Sequence, residues 1–315
     1  MMLRAFFQYV EIQTKVASVI PFILGTLYTL YRYDSFSLKN FIIMFISLIT
    51  FDMATTAINN YCDYRKAHAN GGYNYEVKNA IEKYNMKKST ALGIIFILLS
   101  IATIFGVLLA LNTNLVVLLV GAVCFVAGIL YTFGPIPISR MPLGEIFSGI
   151  FMGFIITFLA IYIHVHDAGI LSLAYNNNIL GISMNIKEVL CMFLISIPLI
   201  NGIANIMLAN NICDVEEDIK NKRFTLPYYI GRKATLKLFE VLYYIGYVDI
   251  ILLVFLKILP FTLFLLLITL IPVRKNIKVF QSKPSKAETF VISVKNFVLM
   301  NIFYIILLGI SIFMK

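Results

Sequence analysis

The sequence is poor in charged residues. Only 13% of its 315 residues are Asp, Glu, Lys or Arg, whereas 60% are hydrophobic and the mean hydropathy is +0.88. This balance excludes a soluble globular domain, which needs enough polar residues to cover its surface. Apolar runs of roughly 20 residues recur along the chain, and a helix of that length crosses the hydrocarbon core of a bilayer. We therefore expect a single all-α, polytopic membrane domain over residues 1–315, with its helices around a central cavity.

The sequence also has no tryptophan and only four cysteines. The cysteines form no C-x-x-C pair and have no metal-ligand spacing, which excludes the common zinc and thiol redox sites. Cys62 and Cys213 are expected on the cytoplasmic side, where thiols stay reduced, so we predict no disulfide bond. No Ser-His-Asp or Cys-His arrangement indicates a catalytic nucleophile. Tyrosine must replace tryptophan at the membrane interface, as in the stretch LYTLYRY.

The apolar runs predict nine transmembrane spans, with the N-terminus in the cytoplasm and the C-terminus outside. The first run has no signal-peptide cleavage pattern and is therefore counted as the first span. The spans cover residues 16–33, 41–61, 91–111, 114–133, 143–164, 188–209, 236–256, 258–273 and 290–313. Two long polar connections lie on the cytoplasmic side, residues 64–90 and 210–237. Long loops of this kind are usually functional, and we expect these two to cap a functional site at that side.

The basic residues determine this orientation. Five of the 26 Lys and Arg residues fall on the outer side, which leaves 21 on the inner side; the five are Arg32, Lys39, Lys187, Lys257 and Lys315. Such an excess of basic residues is typical of cytoplasmic loops. The net charge of +10 is therefore explained by topology beside anionic lipid, and we predict no nucleic-acid partner. We predict a multi-pass protein of the cell (plasma) membrane; the sequence allows no protein partner to be inferred.

One phrase occurs twice, as NNYCD at residues 59–63 and as NNICD at residues 210–214. Each copy ends an apolar run and begins one of the two long basic loops. The chain thus resembles two related halves followed by a closing portion, an organisation that is common in membrane folds. Acidic residues beside a membrane span are costly and by default indicate a functional site.

The two copies place oxygen-bearing side chains on one face of each helix. Asn210, Asp214 and Asp218 follow one another at intervals of one turn, and so do Asn59 and Asp63. Mg²⁺ prefers oxygen ligands and is commonly held by one or two carboxylates together with phosphate oxygens. The pattern predicts Asn59, Asp63, Asp214 and Asp218 as metal-binding and catalytic residues, with Asn210 as a further substrate contact.

Basic residues follow each copy, namely Arg65, Lys66, Lys222 and Arg223. Their charges could neutralise what remains of a pyrophosphate, with Arg favoured for bidentate contact. The pattern therefore predicts a pyrophosphate held through magnesium at the cytoplasmic rim, with the rest of the ligand in an apolar cavity. For any single Asp, helix capping or snorkelling explains the position equally well. Two matching clusters on the same side favour a site.

The two clusters resemble the paired Asp-rich motifs of the UbiA-type intramembrane prenyltransferases, N-D-x-x-D-x-x-x-D and D-x-x-x-D. The second motif is intact as Asp214 and Asp218, whereas Asn60 and Ala67 stand where the first usually has Asp. This form of the first motif, N-x-x-x-D with fewer Asp residues, is similar to the one in the 1,4-dihydroxy-2-naphthoate prenyltransferase branch. Nine helices with a cytoplasmic N-terminus are also the arrangement of that family.

Three further stretches resemble this branch. EIQTKVASVIPFILGTLY is similar to its first helix and would place Lys15 and Ser18 near the site. YTFGPIPISRMPLGE is similar to its central cytoplasmic loop, with Arg140 as a pyrophosphate contact. KRFTLPYYIGRKA is similar to the segment after the second motif.

The resemblance implies a Mg²⁺-dependent enzyme that transfers a polyprenyl group from its diphosphate to an aromatic acceptor. With 1,4-dihydroxy-2-naphthoate, the acceptor would lose its carboxylate and give demethylmenaquinone, which implies a role in menaquinone biosynthesis. Aromatic rings can stabilise an allylic cation, and Tyr64, Tyr131 and Phe133 are candidates for this role or for packing.

Two alternatives remain open. Another acceptor, such as 4-hydroxybenzoate, would use the same donor chemistry. An ion-coupled transporter would also contain intramembrane carboxylates, although its site would lie near the bilayer midplane. The HVHD stretch with His164 and His166 is not expected to bind a metal, because histidines two residues apart do not share a helical face. The sequence leaves open the prenyl chain length, the oligomeric state and the roles of Asp52, Asn60, Glu145 and Glu217.

Overall fold

The computed structural model describes residues 2–70, 79–132, 137–176 and 179–315, most of which are α-helical. The first helices are α1 (Met2–Tyr9), α2 (Val16–Tyr33), α3 (Leu38–Asn70), α4 (Ala80–Lys83), α5 (Lys88–Asn112) and α6 (Leu115–Thr132). They are followed by α7 (Gly144–Tyr162), α8 (Ile186–Ile195), α9 (Ile197–Lys220), α10 (Leu226–Phe255), α11 (Leu270–Ser282) and α12 (Val291–Phe313). Short 3₁₀ helices cover Ile12–Lys15, Ile138–Arg140 and Phe261–Thr269.

Within the described residues, six helices are long and apolar enough to cross a membrane: α2 with its preceding 3₁₀ turn, α3, α5, α7, α10 and α12. The consecutive helices α8 and α9 are bent by 47° and would form a seventh span together. The bend coincides with Pro198 in the first turn of α9, a position that proline tolerates well. The chain is thus a multi-pass, mainly helical membrane protein with six or seven candidate spans.

Two of the nine predicted spans are not among these candidates. The fourth falls on α6, whose apolar part, Leu115–Tyr131, is shorter than the others. The eighth falls on the 3₁₀ helix Phe261–Thr269, which continues into the more polar helix α11. Pro260 starts this segment, and α11 carries three basic residues within its sequence LIPVRKNIKVFQS. A single apolar helix therefore does not form there.

The all-α prediction also missed a β-hairpin. Strands β1 (Leu171–Asn176) and β2 (Ile179–Met184) pair antiparallel, with Leu171 opposite Met184. The hairpin lies in the connection between α7 and α8, which corresponds to the outer connection between the predicted spans 143–164 and 188–209. Tyr162, the last residue of α7, donates from its hydroxyl to the carbonyl oxygen of Leu171 at 2.6 Å and so joins the hairpin to the helices.

Polar side chains fix the two helices that carry the repeated phrase. On α9, the amides of Asn201 and Asn205 donate to backbone carbonyls of α10 at 3.1 and 3.0 Å. On α3, the Ser47 hydroxyl donates to the carbonyl of Ala102 in α5 at 2.8 Å. Hydrogen bonds of this kind hold helices together in a bilayer, where apolar surfaces alone provide little driving force.

Helix α7 packs very closely on α9. Its middle turns, Gly149–Ile155, are π-helical, and a Cβ atom added at Gly153 would lie 2.7 Å from the Cα atom of Ile200. Small residues allow helix backbones to approach in this way. The arrangement brings α3, α6, α7 and α9 around one cavity.

Candidate active site

The wall of this cavity changes from apolar to polar along α3. Met44, Leu48 and Phe51 line it toward the start of the helix, and Asn59 and Asp63 line it toward the end. Because these positions lie on one face of a single helix, the change is a gradient along the helix axis. The first copy of the repeated phrase therefore forms the polar end of this wall.

Helix α9 shows the same gradient. Ile203 and Met207 line the cavity first, and Asn210, Asp214 and Asp218 follow toward the end of the helix. The second copy thus opens onto the same cavity as the first. The volume is about 1370 Å³, larger than the ~300–1,000 Å³ of a typical small-molecule site. A cavity of this size and gradient fits an amphipathic anion with a long apolar tail beside a second substrate.

Arg223 lies at the polar end because the chain turns back after α9. Its guanidinium Nε is 3.4 Å from Oδ1 of the buried Asp218, and it donates to the Ser139 carbonyl at 3.2 Å. A buried carboxylate needs such a partner, since desolvation of an unpaired charge is costly. The preceding residue, Lys222, has a positive φ of 54° and is exposed away from the cavity wall. The structure thus separates these two neighbouring predicted contacts.

Arg140 joins the same edge of the cavity. It ends the 3₁₀ helix Ile138–Arg140, and its carbonyl oxygen accepts a hydrogen bond from the Phe224 amide at 3.2 Å. Arg140 and Arg223 both line the cavity with Asp218. The loop before α7 and the turn after α9 therefore each contribute one arginine to the wall of the same cavity.

Sequence analysis missed Lys286, which lies in the loop between α11 and α12. Its ammonium donates to Oδ1 of Asn210 and to Oδ2 of Asp214, the latter at 2.5 Å. It also lines the cavity. In the sequence, Lys286 is one of six basic residues near the start of the last span, and no pattern distinguishes it from the other five.

The ammonium of Lys15 forms a salt bridge with Asp52. It lies 2.7 Å from Oδ1 of Asp52 and donates to the Thr56 hydroxyl at 2.7 Å, while the Ser18 hydroxyl donates to the other Asp52 oxygen. Lys15 is 4% exposed and is not among the residues that line the cavity. The structure thus explains Asp52 as the partner of a buried lysine, and it places Ser18 and Thr56 on the wall.

Asn60 anchors the N-terminal segment. Its amide donates to the Tyr9 carbonyl at 2.9 Å and to Oε1 of Glu11 at 3.3 Å. Asn211, the corresponding residue of the second copy, donates to Oε1 of the buried Glu145 at 2.8 Å. In both copies, the second Asn therefore makes a structural bond, and the first Asn and the Asp line the cavity; Asn60 also borders the cavity, whereas Asn211 does not.

The remaining predicted residues divide into two groups. Tyr131 lines the cavity, and its hydroxyl accepts from Ser148 at 3.3 Å. Tyr64 and Arg65 do not line it: Tyr64 packs in a separate apolar cluster with Tyr9 and Ile81, and Arg65 is exposed. The Lys66 side chain and Phe133 lie outside the described residues.

The candidate metal-binding residues fit magnesium only together with a phosphate ligand. Among the described residues, no three His, Cys, Asp or Glu side chains come together closely enough to hold a metal by themselves. The oxygens of Asn59, Asp63, Asn210 and Asp214 nevertheless line one cavity. Magnesium commonly takes one or two carboxylates and completes its octahedron with water and phosphate oxygens.

The HVHD stretch lies apart from this site. Nδ1 of His164 accepts the Ser37 amide at 3.0 Å, and the ring packs on Phe36. His164 is therefore a packed residue at the end of α7.

These features are those of a membrane-embedded protein whose cavity is polar at one end and apolar along the rest of its wall. The sequence profile of the UbiA prenyltransferase family matches residues 18–303, and the chain belongs to this family. The chain is 30% identical over 238 residues to the 1,4-dihydroxy-2-naphthoate octaprenyltransferase of Bacillus subtilis (strain 168); the match covers 76% of this chain and 70% of the relative. The prediction of a prenyltransferase is confirmed.

Solved structures have the same fold. A UbiA homolog from Aeropyrum pernix K1, in its apo form, aligns with a TM-score of 0.67 and 18% identity, covering 96% of this chain and 98% of that one. A UbiA homolog from Archaeoglobus fulgidus bound to DMAPP and Mg²⁺ aligns with a TM-score of 0.62 and 14% identity, covering 98% of each chain.

Proposed function

We propose that this protein transfers a polyprenyl group from a polyprenyl diphosphate to 1,4-dihydroxy-2-naphthoate. The allylic C–O bond breaks with loss of diphosphate, the ring carbon forms the new C–C bond, and the ring carboxylate leaves as CO₂. The product is the demethylmenaquinone ring in its reduced form. The observation that carries this proposal is the shared cavity, since both copies of the phrase form its polar end.

The residues have separate roles in this proposal. Asn59, Asp63, Asp214 and Asp218 would hold magnesium, with Asn210 beside them. Bound magnesium would neutralise charge on the leaving diphosphate. Arg140 and Arg223 would contact the diphosphate directly, since both residues line the cavity and guanidinium groups bind phosphate oxygens well.

The apolar wall would hold the prenyl chain and exclude water. It includes Phe51 and Phe125, whose rings stack with centroids 4.2 Å apart, and Phe147 and Phe151, which stack at 4.3 Å. Excluding water matters because water would otherwise capture the allylic cation. The Tyr131 ring lies at the boundary between the polar and apolar walls and could stabilise that cation through its π-face.

We further propose nine crossings, with α6 and the predicted span 258–273 as the two additional ones. The N-terminus and the polar end of the cavity would then face the cytoplasm, in the cell membrane. The excess of Lys and Arg on that side supports this orientation.

The test is transfer by the purified protein in lipid nanodiscs. The reaction would contain Mg²⁺, a labelled polyprenyl diphosphate and one acceptor, either 1,4-dihydroxy-2-naphthoate or 4-hydroxybenzoate. We expect a lipid-soluble product and CO₂ release with the naphthoate, and neither after chelation of the metal. Product only with 4-hydroxybenzoate would overturn the acceptor assignment. No product with either acceptor would contradict this proposal and favour transport.

A further inference from the structure

Lys286 holds two oxygens of the second acidic cluster at once. Its ammonium bonds to Asn210 and Asp214, which lie one turn apart on α9. It reaches them from the connection between α11 and α12, a part of the chain outside both copies of the phrase. The polar end of the cavity thus includes residues from both copies of the phrase, from the loop of Arg140 and from the loop of Lys286.

The loop that carries Lys286 is well fixed. The Thr289 hydroxyl donates to the Lys283 carbonyl and accepts the Ser285 amide, both at 2.8 Å. The Phe290 ring lies 5.0 Å from the Lys286 ammonium, within the range of a cation–π contact. The lysine is therefore directed to the cavity by its loop.

A neighbouring lysine provides a contrast. Lys283 pairs with Glu288 at 2.8 Å, its side chain is 68% exposed, and it does not line the cavity. Lys286 is 38% exposed, and its partner Asp214 is 19% exposed. Two lysines of one short loop thus have different environments, and only Lys286 faces the site.

The bond from Lys286 to Asp214 conflicts with metal binding at the same oxygen. Two cations at one carboxylate oxygen repel each other strongly at such short distance. If magnesium binds at Oδ2 of Asp214, the ammonium must leave this oxygen and find another anion. A diphosphate held by that metal supplies phosphoryl oxygens, which accept charge-assisted hydrogen bonds from lysine.

We propose that Lys286 is a ligand of the leaving diphosphate, kept beside its position by Asp214 until the substrate arrives. This inference rests on the proposed function and adds to it a residue from the last inner loop. On binding, the ammonium exchanges a carboxylate oxygen for a phosphoryl oxygen, with no covalent change. Lys286 would thereby stabilise the charge that develops as the C–O bond breaks.

The exchange predicts effects of opposite sign on two ligands. Removing the ammonium frees Asp214, so a metal without phosphate should bind at least as tightly. The same change removes a phosphate contact, so metal diphosphate should bind about tenfold or more weakly, as expected for a hydrogen bond to a charged group. If Lys286 had a purely structural role, its replacement would lower the affinity for metal alone and the affinity for metal diphosphate together, or would change neither.

The experiment compares Lys286→Met with Lys283→Met, a matched change in the same loop. Calorimetry would measure Mn²⁺ alone, and then magnesium pyrophosphate, with no acceptor present. We expect weaker pyrophosphate binding only in Lys286→Met, with Mn²⁺ affinity kept or increased and partial recovery in Lys286→Arg. Unchanged pyrophosphate affinity, or equal losses in both Met variants, would overturn the proposal. A loss of Mn²⁺ affinity with unchanged thermal unfolding would also overturn it.

The same measurements separate this inference from the proposed function. Wild-type protein that binds magnesium pyrophosphate but prenylates no naphthoate would contradict the acceptor assignment and leave Lys286 supported by the binding data. A wild-type protein that prenylates the naphthoate, with Lys286→Met binding pyrophosphate normally, would contradict only the Lys286 inference. Absence of pyrophosphate binding in the wild type would contradict both.

Discussion

At the residue scale, the double Asn of the repeated phrase serves two purposes. The first Asn of each copy, Asn59 or Asn210, lines the cavity with the Asp that follows one turn later. The second Asn, Asn60 or Asn211, donates to a neighbouring segment of the fold. The first Asn and the Asp are therefore candidate ligands, whereas the second Asn attaches the helix to its surroundings, although Asn60 also borders the cavity. This arrangement gives a physical reason for an amide-rich phrase at the ends of two apolar helices.

The carboxylates of the phrase provide the first prediction. Asp63→Asn or Asp214→Asn should lower kcat/KM by at least about a hundredfold, the loss typical of removing one electrostatic contact to a transition state. Each change keeps the shape of the side chain but removes the charge that magnesium requires. Rates of prenyl transfer in nanodiscs would measure the effect.

Glu216→Gln is the matched control for these variants. It removes one negative charge from the same helix as Asp214, but Glu216 is exposed and does not line the cavity. We expect nearly wild-type kcat/KM. Equal losses in Glu216→Gln and Asp214→Asn would mean that general charge, not ligation, determines activity.

Two adjacent basic residues provide the second prediction. Arg223→Gln should raise KM for the polyprenyl diphosphate about tenfold or more, because it removes a charge-assisted contact. KM for the aromatic acceptor should change much less. Lys222→Gln should leave both values close to wild type, since Lys222 is exposed away from the cavity. If the two variants behave alike, both side chains act only as cytoplasmic anchors.

At the element scale, the position of α9 depends on close helix contacts. The two Asn amides tie it to α10, and the absence of a side chain at Gly153 lets α7 approach the backbone of Ile200. Since α9 carries the second acidic motif and α7 carries part of the apolar wall, this contact sets the width of the cavity.

Gly153→Ala tests that contact. The added Cβ atom would lie 2.7 Å from two backbone atoms of Ile200, so one helix must move. We expect destabilisation of about 1–3 kcal/mol, the usual cost of overpacking. Thermal unfolding in detergent would measure it.

Gly93→Ala is the control, because a Cβ atom there meets nothing within 4 Å, and alanine favours a helix by up to about 1 kcal/mol. Equal stability of both variants would contradict the role of Gly153.

The elements also show where apolar periodicity is insufficient. The predicted span 258–273 is apolar enough, yet it is 3₁₀-helical and followed by a polar helix. The hairpin of β1 and β2 lies in the connection between the predicted spans 143–164 and 188–209, to which the apolar runs assign no structure. Composition identifies where an apolar segment lies, whereas neighbouring segments decide its conformation.

At the scale of the whole molecule, the fold places polar ends of distant segments together. The two copies of the phrase line one cavity, whose wall also includes residues of α2, α5, α6, α7 and α12. An amphipathic substrate can then be held with its charged head among the polar residues and its tail among apolar side chains. The orientation of the whole chain decides which side of the membrane supplies this substrate.

The proposed orientation gives the last prediction. In a background without the native cysteines, Arg4→Cys should react with a membrane-impermeant maleimide only after the cells are opened. Lys315→Cys should react in intact cells, because an odd number of crossings puts the two ends on opposite sides. Prenyl transfer by both variants would show that each is folded. Labelling of both positions from the same side would contradict nine crossings.

The sequence by itself determined the membrane class, the repeated phrase and the family resemblance. These features depend on composition and on spacing along one helix, and both are local properties of the chain. The spacing of Asp214 and Asp218, for example, follows from helix geometry alone. The positions of most candidate spans were also predictable, because apolar length relates directly to bilayer thickness.

Only the tertiary structure decided which charged residues face the cavity. Arg223 and Lys222 are adjacent in sequence, yet a turn directs one inward and the other outward. Lys15 is partnered by Asp52, and Lys286 reaches Asp214 from a loop 72 residues away. Side chains at such separations meet only through the packing of intervening helices. Their partners depend on the fold as a whole, and no local pattern encodes them.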